Sequence, residues 1–284
     1  MSNPAAGIDP AWNHQLEPVL PVELAPLQRR YVADLPVPTL TGLDLNLREG
    51  VELRGVKVEG QLVAFALIQS APPPGLPAPL LVALAAPGQN GTERRRFFRE
   101  VVVRCGIQGL WARSDDALLL EVVMLEGWAM RSMGPLLQFE QTVPVEQQEG
   151  IEVRHLLPGD LEAVLALTMV APFATPDAST RDDLWKLLQD RMLDGLYEGG
   201  ELRALAQILP QHAPQFVSVD IVVHPAFRQR GFGRILAAAV TEAELEAGRR
   251  VLAAFRSEEL IGRRMVESIG GRVQALYYLA TPPA

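Results

Sequence analysis

The apolar positions of the chain follow two rhythms. From Phe216 to Val223 they alternate, with Val217, Val219, Ile221 and Val223 on one face and Ser218 and Asp220 on the other. That predicts a strand with one buried side. A helical rhythm begins near Gly233, where Ile235, Leu236, Ala239, Val240 and Ala243 form one stripe, and Gly248 ends it. Val251 to Phe255 reads as the next strand. Ser257 reads as an N-cap, with Glu258 and Glu259 in the first turn of a helix that buries Leu260, Ile261, Met265 and Ile269. Gly270-Gly271 stops that helix. Arg272 to Ala280 is a last strand, with Val273, Ala275, Tyr277 and Leu279 on one face. Further upstream, Leu184, Leu187, Leu188 and Met192 mark an amphipathic helix that also carries Asp182, Asp183 and Trp185.

The N-terminal half echoes this order. Val58 to Gln69 parallels Glu198 to Leu209. Arg113, Ser114 and Gly127 recur at one constant offset as Arg256, Ser257 and Gly270. Between these anchors, Leu80 to Ala85 reads as a strand and Glu93 to Gly106 as a helix. Two copies of one α/β fold are therefore expected, residues 1–147 and 150–284, joined by a polar, Glu/Gln-rich connector.

The chain has 284 residues, enough for two domains. It is 48% hydrophobic and 21% charged, ordinary for a globular protein. The net charge of −8 argues against nucleic acid as a partner, and Arg94 to Arg96 is too short a basic run to change that. One cysteine, Cys105, excludes an internal disulfide and suits a cytoplasmic setting; a buried structural thiol is its expected role. His14, His155, His212 and His224 lack metal-ligand spacing, so no metal is expected. No apolar run reaches membrane-spanning length, so no membrane partner is expected, and the Pro-rich start is not a signal peptide. Arginine far outnumbers lysine, present only as Lys57 and Lys186, which points to a GC-rich bacterial source.

The chemistry lies between the alternating strand and the helix after it. There the chain reads Val223-His-Pro-Ala-Phe-Arg-Gln-Arg-Gly-Phe-Gly-Arg-Ile-Leu236. A turn at a helix N-terminus presents unpaired N–H groups and the positive end of the helix dipole, which favour a phosphate. Gly231 and Gly233 let it approach the backbone closely. A P-loop would need Gly-Lys-Ser/Thr, which is absent. A dinucleotide fingerprint would need glycine at position 236, which is Leu, and glycines directly after the strand.

Arg228-x-x-Gly231-x-Gly233 after a Val-x-Pro strand end resembles the coenzyme A loop of the GCN5-related N-acetyltransferase (GNAT) superfamily. The resemblance covers about residues 150–284. Ile151 to Asp160 looks like the family's first strand entering its first helix, and Glu201 to Leu209 like a strand of its meander. It implies two tandem GNAT-like domains of α/β class, each a mixed, mostly antiparallel twisted sheet flanked by helices. The N-terminal copy lacks the motif: Pro87-Gly-Gln-Asn-Gly-Thr-Glu-Arg94 stands at its turn, so it is expected to be degenerate. A two-copy chain of this kind resembles mycothiol synthase-type members.

The resemblance implies acetyl transfer from acetyl-CoA, as co-substrate, to a primary amine of a small molecule or peptide by direct attack. Its alternative is an acetyl-CoA-binding regulatory or scaffold protein without turnover. Val222 and Val223 would bond the pantetheine arm through their N–H groups, and Arg228, Gln229, Arg230, Gly231, Phe232, Gly233 and Arg234 would hold the phosphates. Asp220 would take the proton of the amine. Val266 stands where many relatives carry a tyrosine acid, which leaves Tyr278 or Tyr277 of the last strand for that role. Ser257, His224, Tyr197 and Glu198 are lesser candidates around the site. A monomer or homodimer is expected.

Overall fold

The computed structural model describes residues 16–20, 22–24, 51–58, 61–72, 75–85, 91–146, 148–171, 180–211 and 215–283. The turn around Gly88, His14 and His212 lie outside these. In chain order the first half supplies β1 (Glu17–Pro18), β2 (Val51–Val58), β3 (Gln61–Gln69), β4 (Leu80–Ala85), α1 (Gly91–Cys105), β5 (Gly109–Arg113), α2 (Ala117–Leu125) and β6 (Ala129–Phe139). The second supplies β7 (Ile151–His155), α3 (Leu161–Val170), α4 (Arg181–Gln189), β8 (Leu193–Glu198), β9 (Glu201–Pro210), β10 (Phe216–Val223), α5 (Phe232–Glu246), β11 (Arg250–Ala254), α6 (Leu260–Ser268) and β12 (Arg272–Thr281).

Two compact units form, but they are not the contiguous spans 1–147 and 150–284. One comprises residues 1–134 with 275–284, the other 135–274. The first unit's sheet runs β1-β2-β3-β4-β5-β12 and the second's β6-β11-β10-β9-β8-β7. The halves have thus exchanged their last strands. Tyr277 to Ala280 of β12 pairs antiparallel with Arg113 to Leu110, and Leu136 to Phe139 of β6 pairs antiparallel with Ala254 to Val251. The division falls at Gly134-Pro135, inside β6. In each unit a helix connects parallel strands, β4-α1-β5 and β10-α5-β11, the crossover that a twisted sheet accepts in one hand.

The hairpins of the two units match in detail. In β8, Gly195 lies where a Cβ would meet Leu202 at 2.6 Å and Leu156 at 2.7 Å; in β2, a Cβ on Gly55 would meet Leu62 at 2.4 Å and Val19 at 2.6 Å. Each glycine makes room for a leucine from the partner strand. One residue later the register shifts, at Leu196/Tyr197 in one hairpin and Val56/Lys57 in the other. Gly199 and Gly200 close the β8–β9 turn with φ of 61° and 81°, the left-handed geometry of a two-residue hairpin.

In the first unit Phe97, Phe98 and Val101 of α1 pack with Leu110 and Trp128, and the Phe98 and Trp128 rings meet edge to face at 5.2 Å. The arginine run on α1 is engaged: Arg95 and Arg99 both bind Glu126 beyond α2. Cys105 is half-buried at the end of α1, and burial pushes its thiol up from the ordinary value, consistent with an inert structural thiol. In the second unit α5 buries Phe232, Ile235, Leu236 and Val240 on one side of the sheet, with Val266 of α6 and Ile269 just after it. On the other side α3 and α4 bury Leu161, Val164, Leu167, Leu184 and Leu188. Each such side chain contributes about 1.5–3 kcal/mol.

A polar clamp fastens the start of the second unit. Asp160 accepts from Arg154 at 2.8 and 3.0 Å, from the Leu157 N–H at 2.8 Å and from the Tyr197 hydroxyl at 2.9 Å. The Arg154 guanidinium, which also lies 4.3 Å from the centre of the Tyr197 ring, holds the Asp160 carboxyl well below the usual carboxylate range. Burial, then the bond to Asp160, pushes the Tyr197 hydroxyl up to about 12. Asp160→Asn is expected to cost about 1–2 kcal/mol at neutral pH, because the partly exposed Arg154 screens the pair. The folded carboxyl titrates below its unfolded value of about 3.9, so the wild-type advantage is full above about pH 5 and is lost as pH falls through the folded value. Thermal melts of both proteins across acid and neutral pH check this: the gap in Tm should close on acidification.

Candidate functional site

The site is built on β10. At one end of this strand the Gln211 N–H donates to the Phe216 carbonyl at 3.0 Å; at the other the His224 N–H donates to the Arg203 carbonyl at 2.9 Å. The register with β9 is unbroken between them. Backbone groups therefore alternate: even-numbered residues exchange bonds with β9, and odd-numbered ones turn theirs to the opposite edge. On that edge the parallel pairing with β11 covers only Phe216 to Ser218, opposite Arg250 to Leu252. Beyond it, Ile221 and Val223 aim their N–H groups into a gap that β11 has left. Their side chains, with that of Val219, pack into the core beneath α5.

The gap leads to the start of α5. His224 opens a short 3-10 turn, Pro225–Phe227, and its Nδ1 accepts from the Ala226 N–H at 3.2 Å. Arg228 donates through Nε to the Val223 carbonyl at 3.3 Å. Gln229 and Gly231 both take left-handed backbone, with φ of 65° and 84°, and Gly231 caps the helix. The first N–H groups of α5 have no acceptor within the helix. A Cβ at Gly233 would lie 3.2 Å from Met265 Sδ and 3.3 Å from Val223 Cγ2, so glycine is what lets the first helical turn sit against the end of β10. Arg228 and Arg234 are exposed beside it.

Asp220 is half-buried on the opposite face of β10 from α5, directly across from buried Gln207 of β9. Ser218 shares that face and accepts from Gln211 Nε2 at 2.9 Å. Val222, next along it, packs into the α3–α4 cluster. The second unit thus gathers Asp220, Ile221, Val223 and the Arg228–Arg234 loop around one strand end. The outward N–H of Ile221 was not legible in the sequence, because strand alternation shows which way side chains point but not which sheet edge the N–H groups face.

Several expected residues take other places. Val222 commits its backbone to β9, and it is the N–H of Ile221, with that of Val223, that faces the other edge. Tyr278 is a residue of the first unit: it lies opposite Ala112 of β5 and packs against that unit's core. The strand exchange put it there. Tyr277 meets Trp111 edge to face in the same unit. Val266 is 4% exposed and belongs to the core below α5. Ser257 does not cap α6; Glu259 precedes the helix, and its carboxylate accepts from the Arg256 N–H at 2.9 Å. Among the described residues no His, Cys, Asp or Glu cluster is arranged to hold a metal, and no helix is long and apolar enough to cross a membrane.

Residues 194–279, which contain this strand, loop and helix, match the FR47-like protein family. Over 97 residues the chain is 38% identical to a mycothiol acetyltransferase of Thermobispora bispora, a match covering 32% of each protein. The match thus spans about a third of the length of that curated relative. Among solved structures, an acetyltransferase of the GNAT family from Colwellia psychrerythraea superposes with a TM-score of 0.77 at 12% identity, over 95% of this chain and all of that one. A tandem GNAT protein from the clavulanic acid biosynthesis pathway superposes with a TM-score of 0.62 at 13% identity, over 96% of this chain and all of the other. The fold and the open strand end define an α/β protein of the GNAT type. The chain as a whole has the fold of these GNAT structures, and its residues 194–279 match the FR47-like family.

The open edge has a direct signature in hydrogen exchange. The amides of Ile221 and Val223 are expected to exchange faster than those of Asp220 and Val222, which β9 protects. Residue-resolved NMR exchange reads this alternation. Equal protection along all four would place β11 against the whole strand.

Proposed function

We propose that the chain is an acyltransferase that moves an acetyl group from acetyl-CoA to a primary amine of a small molecule or peptide. The observation that carries this reading is the open edge of β10 ending at the glycine-shaped start of α5. Two strand N–H groups without a β11 partner suit the amides of a pantetheine arm. The N–H groups of Phe232, Gly233 and Arg234, with the exposed Arg228 and Arg234 side chains, suit a pyrophosphate. Bound acetyl-CoA would supply an activated thioester at the strand. The similarity of one region to a mycothiol acetyltransferase supports the class of reaction.

The chain's own residues hold and align the two reactants, which accounts for much of the rate of a direct transfer. Asp220 lies one residue before the first open N–H and on the other face of the strand. From there its carboxylate takes the proton that the attacking amine must lose. A thiolate is a tolerable leaving group near neutral pH, so departure does not demand a side-chain acid. The acceptor is held on the α3–α4 side, the face that carries Asp220. The first unit repeats the fold without Arg-x-x-Gly-x-Gly, and we assign it no acetyl-CoA site.

Calorimetric titration of acetyl-CoA into the full chain is expected to give one site, lost in Gly233→Val, whose side chain would press on Met265 and Val223. Asp220→Asn should keep that binding and lower kcat about 100-fold or more in thiol-release assays across polyamines, amino acids, aminoglycosides and peptides. Two sites would overturn the single-site assignment. Binding without turnover on any acceptor would favour the non-catalytic reading, which the missing tyrosine at Val266 independently supports. No binding would end both.

A further inference from the structure

The loop that meets the phosphates contains three arginines, and the middle one differs from its neighbours. All three are exposed, and Arg228 donates to the Val223 carbonyl, but Arg230 alone forms a bidentate pair with a carboxylate, that of Glu198 at the end of β8, its two terminal nitrogens lying 3.1 and 2.5 Å from the two oxygens. Its guanidinium also lies 4.7 Å from the ring centre of Phe232 and 5.4 Å from that of Phe227. Those rings stack on each other at 6.3 Å and 13°. Beside Phe227, Arg203 of β9 lies 4.0 Å from the ring centre, with its Nε 4.0 Å from the same Glu198 carboxylate. One carboxylate therefore faces two guanidinium groups, and two aromatic rings complete the cluster. The carboxylate takes one edge of the Arg230 guanidinium and the Phe232 ring lies against one face.

Resting on the acetyl-CoA reading of this loop, we propose that Glu198 is a positioning residue for it: through Arg230 and the Phe227–Phe232 stack it pins the loop's left-handed turns in their binding conformation, and Arg230 does not itself bind phosphate. The physical reason is entropic. The segment from Arg228 to Gly231 holds two left-handed residues, Gln229 among them, and a non-glycine residue in that region carries a conformational cost. A turn of that kind stays in place only if its surroundings hold it there. Arg230 lies between the two left-handed positions, and its pair with Glu198 ties that point of the loop to the β8–β9 hairpin. A preorganised loop then binds its anion without first ordering itself. Phosphate contact is left to the backbone N–H groups of α5 and to Arg228 and Arg234.

Glu198 does not face the thioester or the amine in this scheme, so its removal should act on binding and not on chemistry. Glu198→Gln is expected to raise the KM and Kd for acetyl-CoA about threefold to fivefold, the range of a partly exposed ion pair, at unchanged kcat. It should also speed amide exchange of residues 228–233 in the free protein. Arg230→Gln should do the same, and the double variant should be no worse than either single one. The exchanged pair, Glu198→Arg with Arg230→Glu, should recover loop protection and most of the affinity. If Glu198 only competed with phosphate for Arg230, Glu198→Gln would instead tighten acetyl-CoA binding with loop exchange unchanged, and Arg230→Glu would not be rescued; either result overturns the proposal. The exchange measurement needs no ligand. If the free-protein data follow the pinned-loop pattern while acetyl-CoA does not bind, the acetyl-CoA reading fails, and the phosphate-binding part of this proposal fails with it. If acetyl-CoA binds and exchange is unaltered by Glu198→Gln, the pin alone fails.

Discussion

The parting of β10 from β11 after Ser218 is the constraint on which the site depends. A parallel pair that continued would satisfy Ile221 and Val223 and leave no place for a ligand between the strands. An open edge forgoes ladder bonds worth about 0.5–1.5 kcal/mol each, so it is maintained because the rest of the strand is held. The unbroken register with β9 fixes one edge, and the side chains of Val219, Ile221 and Val223 anchor the strand in the core. With the strand so held, the first turn of α5 can rest against its end, where Gly233 leaves no Cβ between Val223 and Met265. The alternation of strand geometry then places two groups on adjacent residues: a carboxylate on one face at Asp220, and an N–H on the open edge at Ile221.

The exchange of final strands decides which residues each unit owns. β12 completes the first unit's sheet beside β5, and β6 supplies the second unit's strand beside β11. Each half therefore needs sequence from the other to finish its sheet. This explains why Tyr278, close in sequence to the second unit's last helix, packs into the first unit's core. Tyrosine in the last strand of an unexchanged copy would have been a reasonable partner for Asp220. The pattern of apolar residues in β12 is the same in either arrangement, because alternation specifies a buried face and says nothing about whose core that face meets.

The two hairpins carry correspondences that a residue comparison only hinted at. Gly55 and Gly195 each admit a leucine, Leu62 and Leu202, and a register shift follows at the next residue in both. A glycine, a leucine from the partner strand and a bulge form one packing device, since the absent Cβ, the inserted side chain and the extra residue accommodate one another. The device recurs although the phosphate-loop motif of the second unit is missing from the first. The scaffold and the binding loop are thus physically separable: one depends on packing within the hairpin, the other on the turn before a helix.

Much of this protein could be read from its sequence. Strict alternation marked β10, its helical neighbour was marked by period and by Gly248, and Gly231 and Gly233 marked the tight turn between them, because these features are set by local backbone geometry and by which residues lack a Cβ. The placement of Asp220 on the face away from the helix followed from the same alternation. What the sequence could not decide was anything set by the choice of neighbour. The direction of each N–H of β10 is one such choice: Val222 faces β9 and Ile221 the other edge. The sheet that receives the last strand moved Tyr278 to the other unit. The carboxylate that meets Arg230 turned Glu198 from a lesser candidate around the site into a partner of the loop. Hydrogen bonds between strands and ion pairs across turns join residues far apart in the chain, and local periodicity holds no record of them; only the assembled tertiary structure selects among the partners it permits.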